Sequence, residues 1–487
     1  MTHLTINNPG DLAEVTTRKD LPTMARMRKK LGAVLVGAAA LSLTLTACGG
    51  GGGSEESGGG TEGGAIDTSQ ASGDVSYWLW DANQQPAYQE CADKFHAANP
   101  NINVKITQYG WADYWAKLTN GFVAGDAPDV FTDHLAKYPE FVSQEQLVPL
   151  DDTLTKDGFN VNQYQEGLAD LWKGPDGKRY GLPKDFDTVA VFYNKKLIAD
   201  AGVKEADLQN LQWNPQDGGT YEKMIAHLTV DQSGKRGDEP GFDKSKVKVY
   251  GMGLDGSSGA GVGQTQWSMY TGSNNWQFTD KNPWGTHYNY DQPAFQETIA
   301  WFASLVEKGY MPSVAAVTGQ GESDIFAAGK YAMVTNGSWS IGSLFGAKGI
   351  ETGVVPLPTG PSGKRASMYN GLADSIWVGS KNKPAAAKWV EFLGSPDCQN
   401  IVGEKGVVFP AIPAATDKAE AAFKAKGVDV TSFLVNVKDK TTFLFPITDH
   451  ASQIEGIMQP AMDDVLSGKA QASSLTDANN QVNQLFQ

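Results

Sequence analysis

Between Val75 and Phe131 the apolar pattern switches repeatedly between the period of a strand and that of a helix, which restricts the fold more than any other part of the chain. Val75-Ser76-Tyr77-Trp78-Leu79-Trp80 has the β-branched and aromatic character of a strand. Pro86 then opens a helix whose Tyr88, Cys91 and Phe95 fall at i, i+3 and i+7. Ile102, Val104 and Ile106 alternate as the next strand, Trp111, Trp115, Leu118 and Phe122 trace a second helical stripe, and Asp129-Val130-Phe131 gives a third short strand. Strand, helix, strand, helix, strand predicts a parallel α/β sheet. Ligands of such sheets meet the loops at the carboxyl ends of the strands, which here carry Trp80-Asp81, Tyr109 and Thr132-Asp133-His134.

From Gly181 to Asn194 a polar loop feeds a β-branched, aromatic run. Pro183 forces its predecessor out of the helical region, and Val189, Val191 and Phe192 suit a buried pleat. Asp185 and Asp187 therefore sit at a strand's entrance, where one sheet-and-helix unit crosses into another. Tyr221, Met224, Ile225 and Leu228 mark a helix beyond it, and Tyr250–Leu254 a strand running into the glycine-rich stretch Gly256–Gly263. That stretch lacks the Lys-Ser/Thr that ends a P-loop, and Gly360–Arg365 has the lysine without the spacing or the hydroxyl, which argues against nucleotide binding. The glycines read as a mobile loop before a helix presenting Trp267 and Tyr270. Phe295, Ile299, Phe302 and Val306 form an amphipathic helix closed by Gly309, Ala385–Leu393 forms another, stopped at Gly394, and the remainder is mostly helical.

At 487 residues the chain is too long for one core, so about two domains are expected. The net charge of −15, from 40 Lys+Arg against 55 Asp+Glu, argues against a nucleic-acid partner. Three cysteines are too few for a disulfide framework. Cys91 reads as a small buried hydrophobe, with a bridge to Cys398 as the alternative. Arg26, Arg28, Lys29 and Lys30 precede the apolar run Leu31–Leu41 in the layout of a secretory signal over residues 1–47, with a translation start at Met24 or Met27 as an alternative to Met1. The ending Leu45-Thr46-Ala47-Cys48 resembles the lipobox of bacterial lipoproteins, which implies that Cys48 is lipidated and becomes the first residue of the mature chain. The apolar run is short of the roughly 20 residues that span a bilayer and is interrupted by Ser42 and Thr44. Residues 48–73, rich in glycine, serine and glutamate, are expected to be a flexible tether.

One motif ties these pieces together. Phe326…Gly329-Lys330-Tyr331-Ala332-Met333…Asn336-Gly337-Ser338-Trp339 resembles the signature of family 1 extracellular solute-binding proteins, the carbohydrate-binding components of ABC importers and relatives of maltose-binding protein. Ala124–Val130, Tyr180–Pro183 with Val191–Leu197, and Val355–Pro358 with Ser380–Lys383 are similar to that family's landmarks, in its order. The resemblance implies a periplasmic-binding-protein-like type II fold, in which two α/β lobes are joined by three hinge crossings. It puts residues 74–186 with 337–394 in the first lobe and 187–336 with 395–487 in the second, with crossings near Asp185–Thr188, Thr335–Gly337 and Gly394–Cys398. It further implies a monomer that captures a carbohydrate, presents it to the permease subunits of an ABC importer and is held to the membrane by its lipid anchor. No cofactor, metal or catalysis is expected.

A sugar offers hydroxyls that need hydrogen bonds and an apolar ring face that lies flat on an aromatic. The polar candidates for such a cleft are Asp81, Asp133, His134, Asp185, Asp187, Asn336, Asn370 and Asp374, each in a polar loop beside an expected strand or crossing. The stacking candidates are Trp80, Trp267, Trp284 and Trp339, the last at a motif position that the family tends to turn toward its ligand. Asp81 and Asp133 are also plausible helix caps, His134 a structural histidine, and Lys281–Gly285 an exposed loop around Trp284. Two readings compete with sugar capture: a secreted glycoside hydrolase using Asp185 and Asp187, and the same fold with a peptide, polyamine or anion as ligand.

Overall fold

The computed structural model describes residues 64–255 and 263–487. The expected signal, Cys48, the first part of the tether and the glycine-rich residues 256–262 lie outside the described residues. The strands are, in chain order, β1 (Gly73–Leu79), β2 (Ile102–Gln108), β3 (Val130–His134), β4 (Leu182–Asp187), β5 (Val189–Asn194) and β6 (Val230–Asp231). They continue with β7 (Val247–Met252), β8 (Tyr331–Gly337), β9 (Thr352–Val355), β10 (Ser367–Ile376), β11 (Phe409–Pro410) and β12 (Thr442–Leu444). One sheet runs β11-β4-β10-β3-β1-β2, with β12 beside β10, and the other runs β6-β7-β8-β5-β9.

β1 pairs in parallel with both β2 and β3, the arrangement that the alternating strand and helix pattern dictates. β10 then enters between β3 and β4, antiparallel to each, so the first sheet is mixed rather than purely parallel. Helices Gln85–Ala98 and Lys383–Leu393 both begin with proline in the first turn, where its missing N–H costs nothing. Their Tyr88, Phe95 and Trp389 pack against Tyr77 of β1 or each other. Behind the second sheet Trp213, Tyr270, Trp301 and Phe302 form one aromatic core. Full burial of each such side chain contributes roughly 1.5–3 kcal/mol.

β4 ends at Asp187 and β5 begins at Val189, so a single residue, Thr188, carries the chain from one sheet to the other. Its hydroxyl donates to Phe433 O at 2.7 Å, and its carbonyl accepts from Ser338 N at 3.0 Å. The other two crossings lie elsewhere than the resemblance implied. Thr335–Gly337 is the interior and end of β8, and β9 after it pairs with β5, so the chain stays with the second sheet until it returns in β10. Gly394–Cys398 is no crossing either, since β11 pairs with β4 and helix Pro396–Lys405 packs on helix Gln85–Ala98. The chain joins the second lobe only after β12, where helix Ala451–Leu466 packs on helix Pro293–Glu307.

Cys91 and Cys398 are bonded to each other, tying helix Gln85–Ala98 to helix Pro396–Lys405 across 307 residues of sequence. The expectation of a simply buried thiol fails because the two helices share one face of the first sheet. The tether is also shorter than expected. Ile66 N donates to Thr153 Oγ1 at 2.9 Å, Thr68 Oγ1 donates to Asp157 Oδ2 at 2.6 Å, and Lys156 pairs with Asp67 at 3.1 Å, which fastens this segment to helix Asp151–Asp157.

Candidate functional site

A cavity of about 690 Å³ opens beside the carboxyl ends of β1 and β3 and the passage from β4 to β5, within the size range of small-molecule sites. Trp80, directly after β1, meets Trp111 edge-on at 5.1 Å and Trp115 at 5.2 Å. Trp111 starts helix Trp111–Ala124 and is 40% exposed, a large aromatic face left open at the cavity wall. From the second lobe comes Trp339, just after β8. A Cβ at residue 337 would stand 2.0 Å from its ring, so the glycine there is what lets the indole fold back over the strand end.

The polar wall is built from short relays. Asp81 accepts from Asn83 N at 2.7 Å and from Gln84 Nε2 at 3.0 Å, and burial raises its pKa. Asp187, buried at the end of β4, accepts from Ser338 Oγ at 2.5 Å. Burial pushes its pKa up to about 7, opposed by that hydrogen bond and reinforced by the charge of Asp81. Glu322 accepts from Asn336 Nδ2 at 2.8 Å, and burial, then Asp255, holds its pKa well above the usual carboxylate range. The Asn336 carbonyl oxygen accepts from Gly337 N and Ser340 Oγ, which fixes the amide's orientation. Lys137 reaches Glu455 at 3.1 Å, bridging the two lobes at the cavity's edge.

His134 ends β3 and is kept neutral, its pKa pushed down to about 3 by burial and by Lys137. Ala136 N donates to its Nδ1 at 3.0 Å, which places the ring proton on Nε2. Nε2 lies 3.0 Å from the Asn370 amide. An imidazole accepting at both nitrogens would be an anion, so the Asn370 carbonyl belongs opposite Nε2–H. The outer atom of this buried amide has no protein partner, and with the carbonyl so turned it is an NH₂ donor at the cavity wall.

A family model of the bacterial extracellular solute-binding proteins matches residues 90–428. The chain belongs to that family. A maltooligosaccharide ABC transporter solute-binding lipoprotein of Streptococcus pneumoniae is 26% identical over 461 residues, 93% of this chain and 96% of the relative. Among solved structures, UspC of M. tuberculosis matches with a TM-score of 0.64 and 25% identity, over 84% of this chain and 99% of its own. The substrate-binding protein Lmo0181 of Listeria monocytogenes, solved with cycloalternan, matches with a TM-score of 0.72 and 20% identity, over 85% of this chain and 98% of its own. The fold is thus that of the two-lobed periplasmic binding proteins.

In this solute-binding protein, Trp80, Asp81, His134, Asp187, Asn336, Trp339 and Asn370 line one cavity, drawn from segments far apart in sequence. The other residues expected at the site lie away from its wall. Asp133 alternates with His134 along β3 and faces Ser375, with burial pushing its pKa up to about 8. Asp374 shares the face of Asn370 and Leu372 but lies farther from the cavity along β10, where it accepts from Tyr77 and Lys184. Asp185 is fully buried with neither oxygen hydrogen-bonded, and burial, then Asp187, raises its pKa far above normal. Trp267 packs into the second lobe against Phe278 and Phe295. Trp284 is half-buried rather than on an open loop, donating from Nε1 to Lys173 O at 3.0 Å and meeting Tyr138 edge-on.

Sequence reasoning missed Trp111, Trp115, Lys137, Glu322 and Glu455 as cavity residues. Trp111 and Trp115 carry a signal of another kind, since both belong to the stripe that marks helix Trp111–Ala124. Glu322 had none, because an acid in the first turn of a short helix reads as a favourable charge at the helix N-terminus.

Proposed function

We propose that this protein captures a sugar or oligosaccharide between its two lobes and delivers it to the permease of an ABC importer, with lipidated Cys48 holding it to the membrane. The observation that carries the proposal is the pairing, in one cavity, of the indoles of Trp80, Trp111 and Trp339 with a wall of hydrogen-bonding groups. The indoles suit the apolar face of a pyranose, and Asp81, Asp187 and the Asn370 amide suit its hydroxyls. The name of the pneumococcal relative points the same way. A ligand touching Trp80 and Asn370 on the first lobe and Trp339 on the second favours whichever lobe arrangement brings all three to it, through its differential affinity for that arrangement. The permease would read that arrangement, and ATP-driven steps belong to other subunits.

Capture is preferred to hydrolysis because Asp185, the partner that Asp187 needed in a hydrolase, is buried away from the cavity. A thermal-shift screen over mono- and oligosaccharides tests the reading, since a ligand at a hundredfold excess over Kd adds about 2.7 kcal/mol. Trp339→Ala is expected to abolish the shift while the unliganded protein stays folded. An undiminished shift in that variant removes Trp339 from the site, and turnover of an oligosaccharide by the protein alone sinks the capture reading.

A further inference from the structure

The cavity wall has an unbalanced charge. Among the described residues it carries Asp81, Asp187, Asp255, Glu322 and Glu455, against Lys137 as the one lysine and no arginine. Lys137 is already engaged by Glu455. His134 supplies no positive charge, because its imidazole is held neutral. Lys184 lies near enough for its charge to lower the pKa of Asp81, but its buried ammonium is engaged deeper in the sheet, donating to Tyr77, Thr132 and Asp374. Residues 256–262, which precede the lining residues Gln264 and Thr265, contain no charged side chain in their sequence.

The hydrogen-bond partners of Asp81, Asp187 and Glu322 are neutral. Asp81 is held by a backbone N–H and the Gln84 amide, Asp187 by the Ser338 hydroxyl, and Glu322 by the Asn336 amide. Hydrogen bonds of this kind orient a carboxylate without cancelling its charge. Two pairs also repel each other: Asp81 acts on Asp187, and Asp255 on Glu322. Without a cation these acids hold protons more tightly than carboxylates in water do, and a fixed positive charge in the cavity would replace those protons. Beside them stand the faces of Trp80, Trp111 and Trp339, surfaces that attract a cation as well as a sugar ring. The unpartnered outer atom of the buried Asn370 amide marks, independently, a place where a polar ligand atom belongs.

We propose that the ligand is a saccharide carrying a protonated amine, its ammonium placed among Asp81, Asp187 and Glu322 and its ring on the adjoining tryptophans. This rests on the sugar-capture reading and narrows it to amino sugars. A simple metal cation fits less well, because the described residues contain no cluster of metal-ligating side chains.

The test is isothermal titration of the processed protein at pH 7.5 with matched sets of sugars. Each set holds a neutral sugar, its 2-amino analogue and its 2-acetamido analogue, as glucose monosaccharides and as α-1,4- and β-1,4-linked disaccharides. The amine is expected to bind at least tenfold more tightly than its neutral and acetylated counterparts in at least one set, since acetylation keeps the bulk and removes the charge. Asp187→Asn and Glu322→Gln, checked for folding by their unliganded melting, are each expected to remove most of that preference. Titration in buffers of different ionisation heat is expected to show proton release when the amine binds and none when a neutral sugar binds. Equal or tighter binding of the neutral or acetylated member overturns the inference and leaves sugar capture standing. Heat from no sugar of any set overturns both.

Discussion

Two groups of buried acids lie along the first sheet, one deeper in it and one at its cavity end, and their surroundings differ in one respect. Deeper in the sheet Asp374 accepts from Tyr77 Oη at 2.8 Å and from Lys184 at 3.3 Å, and the lysine ammonium also sits 3.8 Å over the ring of Tyr88. At the cavity Asp81 and Asp187 accept hydrogen bonds only from neutral donors. Lys184 and Asp187 are three residues apart on β4, so one strand serves both groups. A buried acid with its own cation belongs to the architecture, whereas one left without a cation has its compensation still to come, from a proton or from a ligand.

The core group is the one whose disruption costs most. Lys184→Met leaves Asp374 buried without its counter-charge and is expected to destabilise the fold by about 3–5 kcal/mol in chemical denaturation. Adding Asp374→Asn should recover a good part of that loss, because it removes the stranded charge. If the ligand-induced thermal shift survives in the double variant, the core pair is structural and separate from the site. If it disappears while the protein remains folded, the contrast between the two groups of acids collapses.

The cavity group should respond with the opposite sign. Asp187 has a folded-state pKa of about 7 against an ordinary value of 3.8, so the folded protein binds its proton more tightly than the unfolded chain does. Stability from this group is therefore present below about pH 4 and is lost as the pH rises toward 7. Asp187→Asn removes that loss and is expected to stabilise the unliganded protein at pH 8, on the order of 2 kcal/mol after allowing for the altered Ser338 hydrogen bond. The two melting curves should approach each other as the pH falls toward 4. A variant that is less stable than the parent at pH 8 would show that the carboxylate holds the hinge together rather than waiting for a ligand.

How much of this was legible in the sequence depends on whether the deciding interaction was local. β1, β2 and β3 follow from hydrophobic period alone, and the crossing at Thr188 follows from two acids placed before a β-branched run. β9 and helix Pro396–Lys405 were assigned to the wrong lobes because their partners, β5 and helix Gln85–Ala98, are distant in sequence and leave no trace in the local pattern. The disulfide between Cys91 and Cys398 stood only as an alternative for the same reason. Within the site, sequence found polar residues at strand ends but not the face they point to. Asp133 and His134 are neighbours on β3 and so point to opposite faces, and only His134 lines the cavity. Trp267 looked available beside a glycine-rich loop, yet Gly263, with φ of +66°, admits the indole against itself and lets it turn inward.

The smallest expected effect concerns Glu455, a cavity acid paired with a cation. Lys137 and Glu455 join the lobes at 3.1 Å, with Glu455 45% exposed, so solvent screens the pair and it should contribute only about 0–1 kcal/mol to stability. Glu455→Gln is therefore expected to leave the unliganded melting temperature nearly unchanged. Its consequence lies in the cavity's charge: with Glu455 neutral, Lys137 is released to offset Asp81 and Asp187. An amine-bearing sugar should then bind a fewfold more weakly, with a neutral sugar little affected, and the difference should shrink as salt is raised. Tighter binding of the amine in this variant would mean that Lys137 had never opposed it, and that the electrostatic contrast between cavity and core does not extend to the cavity's edge.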